Sequence, residues 1–348
     1  MGIRGLSGWL RWASPNSVEI PDWSAFAGTS IGLDILGFLY KAKSQRISPI
    51  TYLAQLIIAC RKYGITPVPI FDGKPPEEKR KMLEQRSERR TAAASRHTVL
   101  KNDADSTPMS ALQRGVIDEE LQRLEHTANF LTSDERDVAK QLFYACGIMS
   151  YNATGEADNV LAYFARRGMF SAVISNDYDM LARGVPILLL PDTYALPGDK
   201  SGWHMFRLST IIQEVRFTYD QFVEMCVLMG CDYTSGVPTL QYKSAYWAIK
   251  YRGNMEKTIK RHSKGHQEVY RRAKEMLTGM WETEESLMGS KQWDKWAAAP
   301  PVPEADTLKE FQKTYLQDIK EQDWLLLMQQ QPQATAQVIV QETIQTSA

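Results

Sequence analysis

Acidic residues stand where strand-like patterns of this chain end. Asp34 closes the run TSIGLD, Asp72 closes PVPIFD, and Asp177 and Asp179 come just after AVIS. In an open parallel sheet the carboxyl ends of the strands meet at one edge, and ligands bind in the crevice beyond that edge. We therefore expect these four carboxylates to converge.

Three further acids border helix-like patterns. Glu156 and Asp158 lie in ATGEAD, where Thr154 is a candidate N-cap. That cap would place both acids in a first helical turn, whose free backbone N–H groups favour negative charge. Asp232 closes the helix-like run FVEMCVLMGCD. It reaches the other acids if that helix packs at the same edge of the sheet.

Seven carboxylates can share a pocket only with cations, because like charges and burial both raise the pKa of a carboxyl group. Hard divalent cations with oxygen ligands suit this set, and no sulphur or imidazole cluster indicates zinc. Two Mg²⁺ ions about 4 Å apart would activate a water and stabilise the leaving oxygen of a phosphodiester. A single aspartate after a strand is more often a turn or capping residue. The pattern alone leaves capping and metal-dependent phosphoryl transfer both open.

Other phosphate chemistries lack their motifs. The chain contains no GxxxxGK[ST] loop and no GxGxxG. Asp177 and Asp179 fit the start of DxDx[TV], the pattern of aspartyl-phosphate phosphatases, but Leu181 occupies the fifth place. No serine lies in a GxSxG elbow.

The elements that must position these acids alternate in about the first 195 residues. Strand and helix patterns that alternate along a chain predict an α/β fold with a mostly parallel sheet flanked by helices. A charged segment, Lys79–Lys101, interrupts the alternation, and the chain becomes mainly helical after residue 205. The predicted strands are Gly28–Asp34, Pro67–Asp72, Ser171–Ser175 and Pro186–Leu190, and the predicted helices are Pro49–Tyr63, Val116–Phe130, Ser133–Cys146, Ala157–Arg167, Asp220–Gly230, Tyr242–Tyr251 and a basic helix at about Met255–Met276.

Composition gives the class of protein but not its partner. Lysine plus arginine and aspartate plus glutamate both total 41, and 43% of residues are hydrophobic, as in ordinary globular proteins. The longest apolar run is strand-sized, and MGIRGLSGWLRW lacks the apolar core of a secretory signal. None of the four cysteines forms a CxxC pair. We expect an intracellular protein with reduced thiols, not a secreted or membrane protein.

Five blocks resemble the XPG-type flap endonuclease family, in the order that the family has them, over most of residues 1–250. FDGKPPEEKRKMLEQRSERR is the most specific, and the others are MGIRGL, GEADNVLAYFARRG, SNDYDMLARG and FVEMCVLMGCDYTSGVP. The resemblance implies a PIN-like 5′ nuclease core and a helix-two-turn-helix module. The implied domains are a core at 1–205 with an inserted helical arch at 79–130, a duplex-binding module at 206–280, and a C-terminal extension at 281–348 whose last residues form a tail.

The resemblance also assigns the acids. It implies that Asp34, Asp72, Glu156 and Asp158 bind mainly one metal ion, and that Asp177, Asp179 and Asp232 bind mainly the other. The implied cofactors are two Mg²⁺ ions, for which Mn²⁺ can substitute. Lys79 and Arg86 match a basic pair that holds the scissile phosphate. Residues seven apart return to one face of a helix, although the interleaved Glu84 and Glu88 by themselves favour a solvated helix.

Further positions match contacts to DNA. Tyr40 matches an aromatic residue that stacks on the base beside the cut, and Gly2 matches a close approach of the backbone to the active site. Basic residues of the arch and of the stretch Lys257–Lys274 suit phosphate contacts, although an exposed amphipathic helix explains that stretch equally well. The predicted DNA-binding residues are Gly2, Tyr40, Arg89, Arg90, Gly236, Lys243, Lys257 and Lys260.

Some segments depart from the family pattern. Thr239-Leu240-Gln241 stands where the family carries glycine-x-glycine after Val-Pro, which argues against a bound K⁺ at this turn. Asn176 occupies a position that is usually acidic, and the segment between Tyr40 and Ile50 is short. No Q-x-x-[ILM]-x-x-aromatic-aromatic box lies near the C-terminus, so docking to a sliding clamp has no support.

The prediction is a monomeric, magnesium-dependent enzyme that cuts branched or flapped DNA near a 5′ end, as endonuclease and 5′ exonuclease. It would act in replication or repair, in the nucleus or wherever DNA is replicated. Two alternatives stay open. One is a non-catalytic nucleic-acid-binding scaffold of the same fold, against which the complete set of seven acids counts. The other is a related metal-dependent ribonuclease, which would have to sense the 2′-hydroxyl.

Overall fold

A seven-stranded sheet organises the molecule. The computed structural model describes residues 2–44, 47–107, 109–128, 131–192, 195–199, 202–262, 267–279, 283, 286–287, 302–317 and 319–329. The strands lie in the order β1-β7-β6-β5-β2-β3-β4, and the four pairs among β6, β5, β2, β3 and β4 are parallel. The strands are β1 (Val18–Glu19), β2 (Ser30–Asp34), β3 (Thr66–Phe71), β4 (Tyr151–Asn152), β5 (Ala172–Ile174), β6 (Ile187–Pro191) and β7 (Trp203–Arg207).

Helices cover both faces of this sheet. Apolar side chains pack on each face, so the sheet separates two hydrophobic cores. The helices are α1 (Leu6–Ala13), α2 (Ile35–Ser44), α3 (Pro49–Lys62), α4 (Arg80–Ser106), α5 (Ala111–Ala128), α6 (Ser133–Ala145), α7 (Ala157–Arg166), α8 (Asp179–Ala182), α9 (Leu208–Val215), α10 (Tyr219–Met229), α11 (Tyr242–Arg252), α12 (Met255–His262), α13 (Gln267–Thr278), α14 (Ala305–Tyr315) and α15 (Glu321–Leu327).

Strand β3 contains two prolines although it lies inside the sheet. Thr66 donates its N–H to Thr29 O on the β2 side, so the alternate residues Pro67 and Pro69 direct their nitrogens the other way. On that side β4 pairs only with Ile70 and Phe71. The prolines therefore fall where no ladder hydrogen bond is needed.

Gly32 sets the distance between β2 and the helix layer. A Cβ at this position would lie 2.6 Å from Leu161 of α7 and 2.8 Å from Phe170. Only a glycine lets α7 pack this close to the strand. The close packing fixes the start of α7, where Glu156 and Asp158 lie, relative to the end of β2.

The arch is a long helical hairpin. Helix α4 has 27 residues and is therefore about 40 Å long, and α5 packs along it. Ala93 and Ala104 of α4 and Leu124 of α5 are buried between them. Arg96 pairs with Glu120 across the hairpin at 3.5 Å. Small residues at the contact allow two strongly polar helices to lie side by side.

The α/β class with a mostly parallel sheet is confirmed, and the four predicted strands are present with ends shifted by at most two residues. Three features differ from expectation. The edge strands β1 and β7 are antiparallel to their neighbours. The single basic helix at about Met255–Met276 is wrong, because the structure has α12 and α13 instead. Helices α1, α2, α8, α14 and α15 have no counterpart among the predicted helices.

Helices α14 and α15 pack on the α/β core. Leu308, Phe311, Leu316 and Leu327 are buried in the core on the α3 side of the sheet. Arg61 of α3 donates to the carbonyl oxygens of Leu326, Leu327 and Cys146. The predicted C-terminal tail, the last dozen residues, lies outside the described residues. Within the described chain, no helix has the length and apolarity to cross a membrane.

Candidate metal and DNA site

The strand order brings the ends of β5, β2, β3 and β4 together at one edge. Asp34 is the last residue of β2, and Asp72 directly follows β3. Asp177 and Asp179 follow β5, and Asp179 begins α8. Glu156 is the N-cap of α7 and Asp158 lies in its first turn. Asp232 comes from the turn after α10, so residues from both halves of the chain meet here.

All seven carboxylates lie close enough to affect one another. The charges of Asp72 and Asp177 act to raise the pKa of Asp34, and those of Asp34 and Asp72 act to raise the pKa of Asp158. The charges of Asp177 and Asp232 act to raise the pKa of Asp179, and the charge of Glu156 acts to raise the pKa of Asp72. Asp72 also accepts a hydrogen bond from Ala157 N at 2.6 Å, which joins it to the start of α7. The structure thus assembles the seven acids in one cluster.

Burial opposes ionisation of four of these acids, because it is the largest cause of the raised pKa values of Asp34, Asp72, Asp158 and Asp179. Burial, and next the charge of Asp72, raise the pKa of Asp34 to about 6, although Ser175 Oγ donates to its carboxylate at 2.8 Å. The pKa of Asp158 is raised well above its usual value, chiefly by burial. Burial, and next the charge of Asp177, also raise the pKa of Asp179 well above its usual value. These are the signs of a cluster with more negative than positive charge.

Lys79 and Arg86 reach into the cluster from the base of the arch. Lys79 Nζ pairs with Glu156 and lies 2.9 Å from Asp232 Oδ2. Arg86 Nη2 lies 3.4 Å from Asp232 Oδ1. Burial works to raise the pKa of Asp232, but Lys79 and Arg86 outweigh it and the net shift is downward. The basic pair therefore faces the acids rather than solvent.

Arg183 is a cluster residue that sequence reasoning missed. Its buried guanidinium lies 3.5 Å from Asp158 Oδ2 and 3.6 Å from Glu156 Oε2. It also donates to Tyr233 Oη at 2.9 Å and to Asn159 Oδ1. Tyr233 Oη in turn donates to Glu156. An arginine after the short helix α8 carries no periodic signal of burial, so only its tertiary contacts reveal it.

The N-terminal segment closes over the acids. Ile3 N donates to Asp179 Oδ1 at 2.5 Å. Gly2 has a φ of 106°, and a Cβ there would lie 2.6 Å from Asp179 Oδ1 and closer still to Asp177. Glycine is required by both the backbone angle and the lack of space. The N-terminal segment thus lies against Asp177 and Asp179 of the acid cluster.

The cluster fits divalent cations, although the side chains are not yet spaced as ligands. Among the described residues, no three His, Cys, Asp or Glu side chains form a ready-made metal centre. Lys79, Arg86 and Arg183 pair with Glu156, Asp158 and Asp232 instead. Carboxylate oxygens are the donors that hard cations prefer. Divalent cations would also stabilise the charged forms of Asp34, Asp72, Asp158 and Asp179, which burial and then the neighbouring carboxylates disfavour.

The predicted DNA contacts spread over three surfaces. Tyr40 is half-buried on α2, with the guanidinium of Arg90 5.2 Å from its ring centroid. Arg89 is exposed on the arch, and Lys243 is exposed on α11. Lys257 and Lys260 are exposed on α12. Lys264, in the same basic stretch, lies outside the described residues.

Gly236 has a structural role at the turn between α10 and α11. Its φ is 71°, and a Cβ would lie 2.5 Å from Gly230 N and 2.6 Å from Met229 C. Val237 N donates to Leu228 O at 2.9 Å, and Tyr270 Oη donates to Gly236 O at 3.2 Å. The turn folds back on the end of α10, and this places Asp232 beside Lys79.

Comparison with known proteins gives consistent matches. The model of the XPG N-terminal domain matches residues 1–93, and that of the XPG I-region matches residues 147–232. Flap endonuclease 1 of Brugia malayi is 28% identical over 264 residues, which are 72% of this chain and 66% of that protein. Flap endonuclease 1 of Homo sapiens is 26% identical, over 75% of this chain and 69% of that protein. The chain thus spans about two thirds of these relatives.

Solved structures share the fold. The flap endonuclease-1 from Methanococcus jannaschii has a TM-score of 0.59 at 19% identity, over 93% of this chain and 97% of that one. The catalytic core of Rad2 in complex with DNA substrate has a TM-score of 0.62 at 17% identity, over 94% of this chain and 99% of that one. The two domain models together span half of the chain, in the order that the sequence blocks predicted. This chain belongs to the XPG-type flap endonuclease family.

Proposed function

We propose that this protein is a structure-specific nuclease that hydrolyses a DNA phosphodiester near the base of a 5′ flap. The observation that carries the proposal is the cluster of seven acids at the sheet edge, with a basic pair from the arch facing it. Relatives named flap endonuclease 1 and the DNA-bound Rad2 core support the choice of substrate. The family resemblance extends this activity to 5′ ends.

Charge balance supports two divalent cations. Seven ionised carboxylates and the three cations Lys79, Arg86 and Arg183 leave four negative charges, which two divalent ions would neutralise. Asp34, Asp72, Glu156 and Asp158 would hold mainly one ion, and Asp177, Asp179 and Asp232 mainly the other. When bound, such ions activate water at neutral pH and stabilise the leaving oxygen. Mg²⁺ is the proposed ion, because every candidate donor is a carboxylate oxygen.

Lys79 and Arg86 would hold the scissile phosphate. Both already point into the cluster, and each pairs with a carboxylate that a bound cation would neutralise in its place. Once cations take over Glu156 and Asp232, the ammonium and guanidinium groups are available to a phosphate. Their positive charge would then offset the negative charge that develops on the phosphate during hydrolysis.

Arg183 and Tyr233 would keep Glu156 and Asp158 in place. Arg183 is buried and contacts both acids, and Tyr233 joins Arg183 to Glu156. Buried hydrogen-bonded partners fix the orientation of a ligating carboxylate. Neither side chain needs to touch the DNA for this role.

The decisive experiment is cleavage of a labelled double-flap DNA with Mg²⁺. Wild type should cut near the flap base, whereas Asp179→Ala and an EDTA control should not. Asp118→Ala serves as the matched control, because this aspartate is exposed on the arch and should leave cutting unchanged. A matched RNA flap separates DNA from RNA activity. Folded wild type that binds the flap without cutting it would sink the proposal and favour the scaffold, and preferential cutting of RNA would favour the ribonuclease.

A further inference from the structure

Helices α1 and α11 expose three large aromatic side chains on one surface. Trp12 of α1 is 38% exposed, and Trp247 and Tyr251 of α11 are 43% and 80% exposed. Trp247 and Tyr251 lie one helical turn apart, with ring centroids 5.3 Å apart and planes at 19°. Aromatic side chains dominate the energetics of cores and interfaces, so this group is unusual on a free surface.

The half-buried ring of Tyr246 and the buried ring of Phe217 hold this aromatic surface in place. Tyr246 lies between the exposed rings, with its centroid 5.4 Å from Trp12 and 4.9 Å from Trp247. Its other side stacks on Phe217 at 5.2 Å. The exposed rings are therefore supported from below, and little ordering would be needed before a ligand stacks on them.

The charged side chains that α11 carries beside the rings are all positive. Helix α11 carries Lys243, Lys250 and Arg252 and has no acidic residue, and Arg11 precedes Trp12 on α1. Lys243 Nζ lies 5.4 Å from the ring centroid of Trp12. Stacking rings among cations are the combination that binds single-stranded nucleic acid, since bases stack on the rings and phosphates meet the cations. Duplex binding through phosphates alone would need no exposed rings.

Helix α1 links this surface to the acid cluster. Ile3, just before the helix, donates its N–H to Asp179, and the helix then runs eight residues to Ala13. Eight residues of α-helix span about 12 Å. Gly5 and Gly8 lie against Tyr242 of α11, so the two helices pack together. A DNA molecule that occupies the acid cluster can therefore also reach the rings.

We propose that Trp12, Trp247 and Tyr251, with Lys243, form a binding site for unpaired nucleobases of DNA. The choice of DNA as ligand rests on the proposed nuclease function. The site would hold a single-stranded part of the substrate beside the duplex, outside the arch and outside the metal cluster. Base stacking gives the site little sequence preference.

Binding in EDTA tests this site without any cleavage. The probes are a fluorescent oligothymidylate of about a dozen nucleotides, within the range of known single-strand sites, and an abasic strand of equal length. The paired substitution Trp247→Leu and Tyr251→Leu removes both rings and keeps apolar side chains. It should weaken oligothymidylate binding on the order of tenfold or more, because each stacked base contributes substantially. Binding of the abasic strand should change little.

Lys260→Gln is the matched control, because this exposed lysine of α12 can meet phosphates but not bases. It should weaken the binding of both probes to a similar extent, and by less than the paired substitution weakens oligothymidylate binding. Tyr251→Ser alone, at the most exposed ring, gives a second test if the paired variant does not fold. Equal affinity of wild type for the two probes, or full oligothymidylate binding by the ring variants, would overturn the site and favour a protein partner. A protein that fails to cut flaps yet shows the ring-dependent preference would refute only the nuclease function.

Discussion

Asp34 is a carboxyl group whose charged form the folded protein disfavours. Its pKa is raised from the usual 3.8 to about 6, first by burial and then by Asp72. A carboxyl group with a higher pKa in the folded state binds its proton more tightly there than in the unfolded chain. Protonated Asp34 therefore contributes stability that is complete below pH 3.8 and lost as the pH rises through about 6.

Replacing Asp34 with asparagine should remove this pH dependence. In EDTA, wild type should lose about 3 kcal/mol of unfolding free energy relative to Asp34→Asn as the pH rises from roughly 4 to 7. Urea unfolding at several pH values measures the difference, and Asp118→Asn should follow the wild-type curve. Mg²⁺ at neutral pH should restore wild type more than the variant, because the ion neutralises the ionised carboxylate. Parallel curves for wild type and Asp34→Asn would contradict the account.

Arg183 should be the most costly single cation to remove. Arg183→Met removes the cation that pairs with Asp158 and one of the two that pair with Glu156, and breaking one side of a buried ion pair costs roughly 3–5 kcal/mol. Adding Asp158→Asn should recover part of that loss, because it removes one of the stranded charges. Urea unfolding in EDTA at neutral pH compares the three proteins. Arg89→Met, on the exposed face of the arch, is the control, and strictly additive losses in the double variant would argue against the contact.

The acids could be located from the sequence because each stands at the end of a strand or helix pattern. The rule that parallel strands end at one edge then brings them together. The cations could not be placed in the same way. Lys79 and Arg86 look like part of a solvated charged helix until the arch is folded over Asp232. The position of Arg183 in the cluster depends on the contact between α8 and the turn that carries Tyr233. No local sequence pattern encodes that contact.

At the scale of elements, the arch depends on very few buried side chains. Helices α4 and α5 bury Ala93, Ala104 and Leu124, and most of their remaining residues are exposed. Elements with few buried apolar contacts open at lower free energy than a core does. The arch is therefore the part of the described chain that can open without unfolding the sheet, as a gate for a DNA strand would have to do.

Leu124→Asp should open the arch selectively. Leu124 is 6% exposed, whereas Leu112 on the same helix is 81% exposed and provides the matched control Leu112→Asp. A buried aspartate without a partner disfavours the closed hairpin, so amides of α4 and α5 should exchange on the order of tenfold faster. Hydrogen exchange resolved by peptide mass spectrometry distinguishes arch from sheet. Equal effects of the two substitutions, or faster exchange throughout the sheet, would show that the arch is not a separate unit.

Elements with a strong pattern were predicted well, and weak or unusual ones were not. The apolar runs of β2, β3, β5 and β6 gave strands close to their observed positions. The edge strands β1 and β7 have two and five residues and pair antiparallel, for which the alternation of strands and helices gives no signal. Helix α1 was overlooked because two glycines, Gly5 and Gly8, stand where a helix rarely begins. Gly5 suits its φ of 69° and its close approach to Tyr242, where a Cβ would lie 3.3 Å from the ring.

At the scale of the whole molecule, the described residues 302–317 and 319–329 complete the core on one face of the sheet. Composition alone indicates an extension outside the core, because prolines and alanines precede this segment and glutamines follow it. In the structure Leu308 and Leu327 are fully buried. Arg61 of α3 also depends on the carbonyl oxygens of Leu326 and Leu327. Sequence patterns cannot reveal such pairings, since about 265 residues separate the partners.

If this segment is part of the core, damage to it should lower the stability of the entire fold. Leu327→Asp puts a charge in place of a fully buried leucine, which forfeits about 1.5–3 kcal/mol of burial and adds the cost of burying an unpaired carboxylate. We expect the main thermal unfolding transition to fall by about 10 °C. Leu325→Asp, two residues away on the same helix and exposed, should leave it nearly unchanged.

Two probes decide whether the whole molecule responds. Near-ultraviolet circular dichroism reports packing around the buried Trp9 and Trp203, which lie in the cores on opposite faces of the sheet. Limited proteolysis reports exposure of α15 itself. If the unfolding temperature falls for the packing around both tryptophans, the C-terminal helices hold the nuclease fold together. Early cleavage at α15 with an unchanged main transition would instead make this segment a separable attachment, because its contacts would then add nothing to the stability of the sheet.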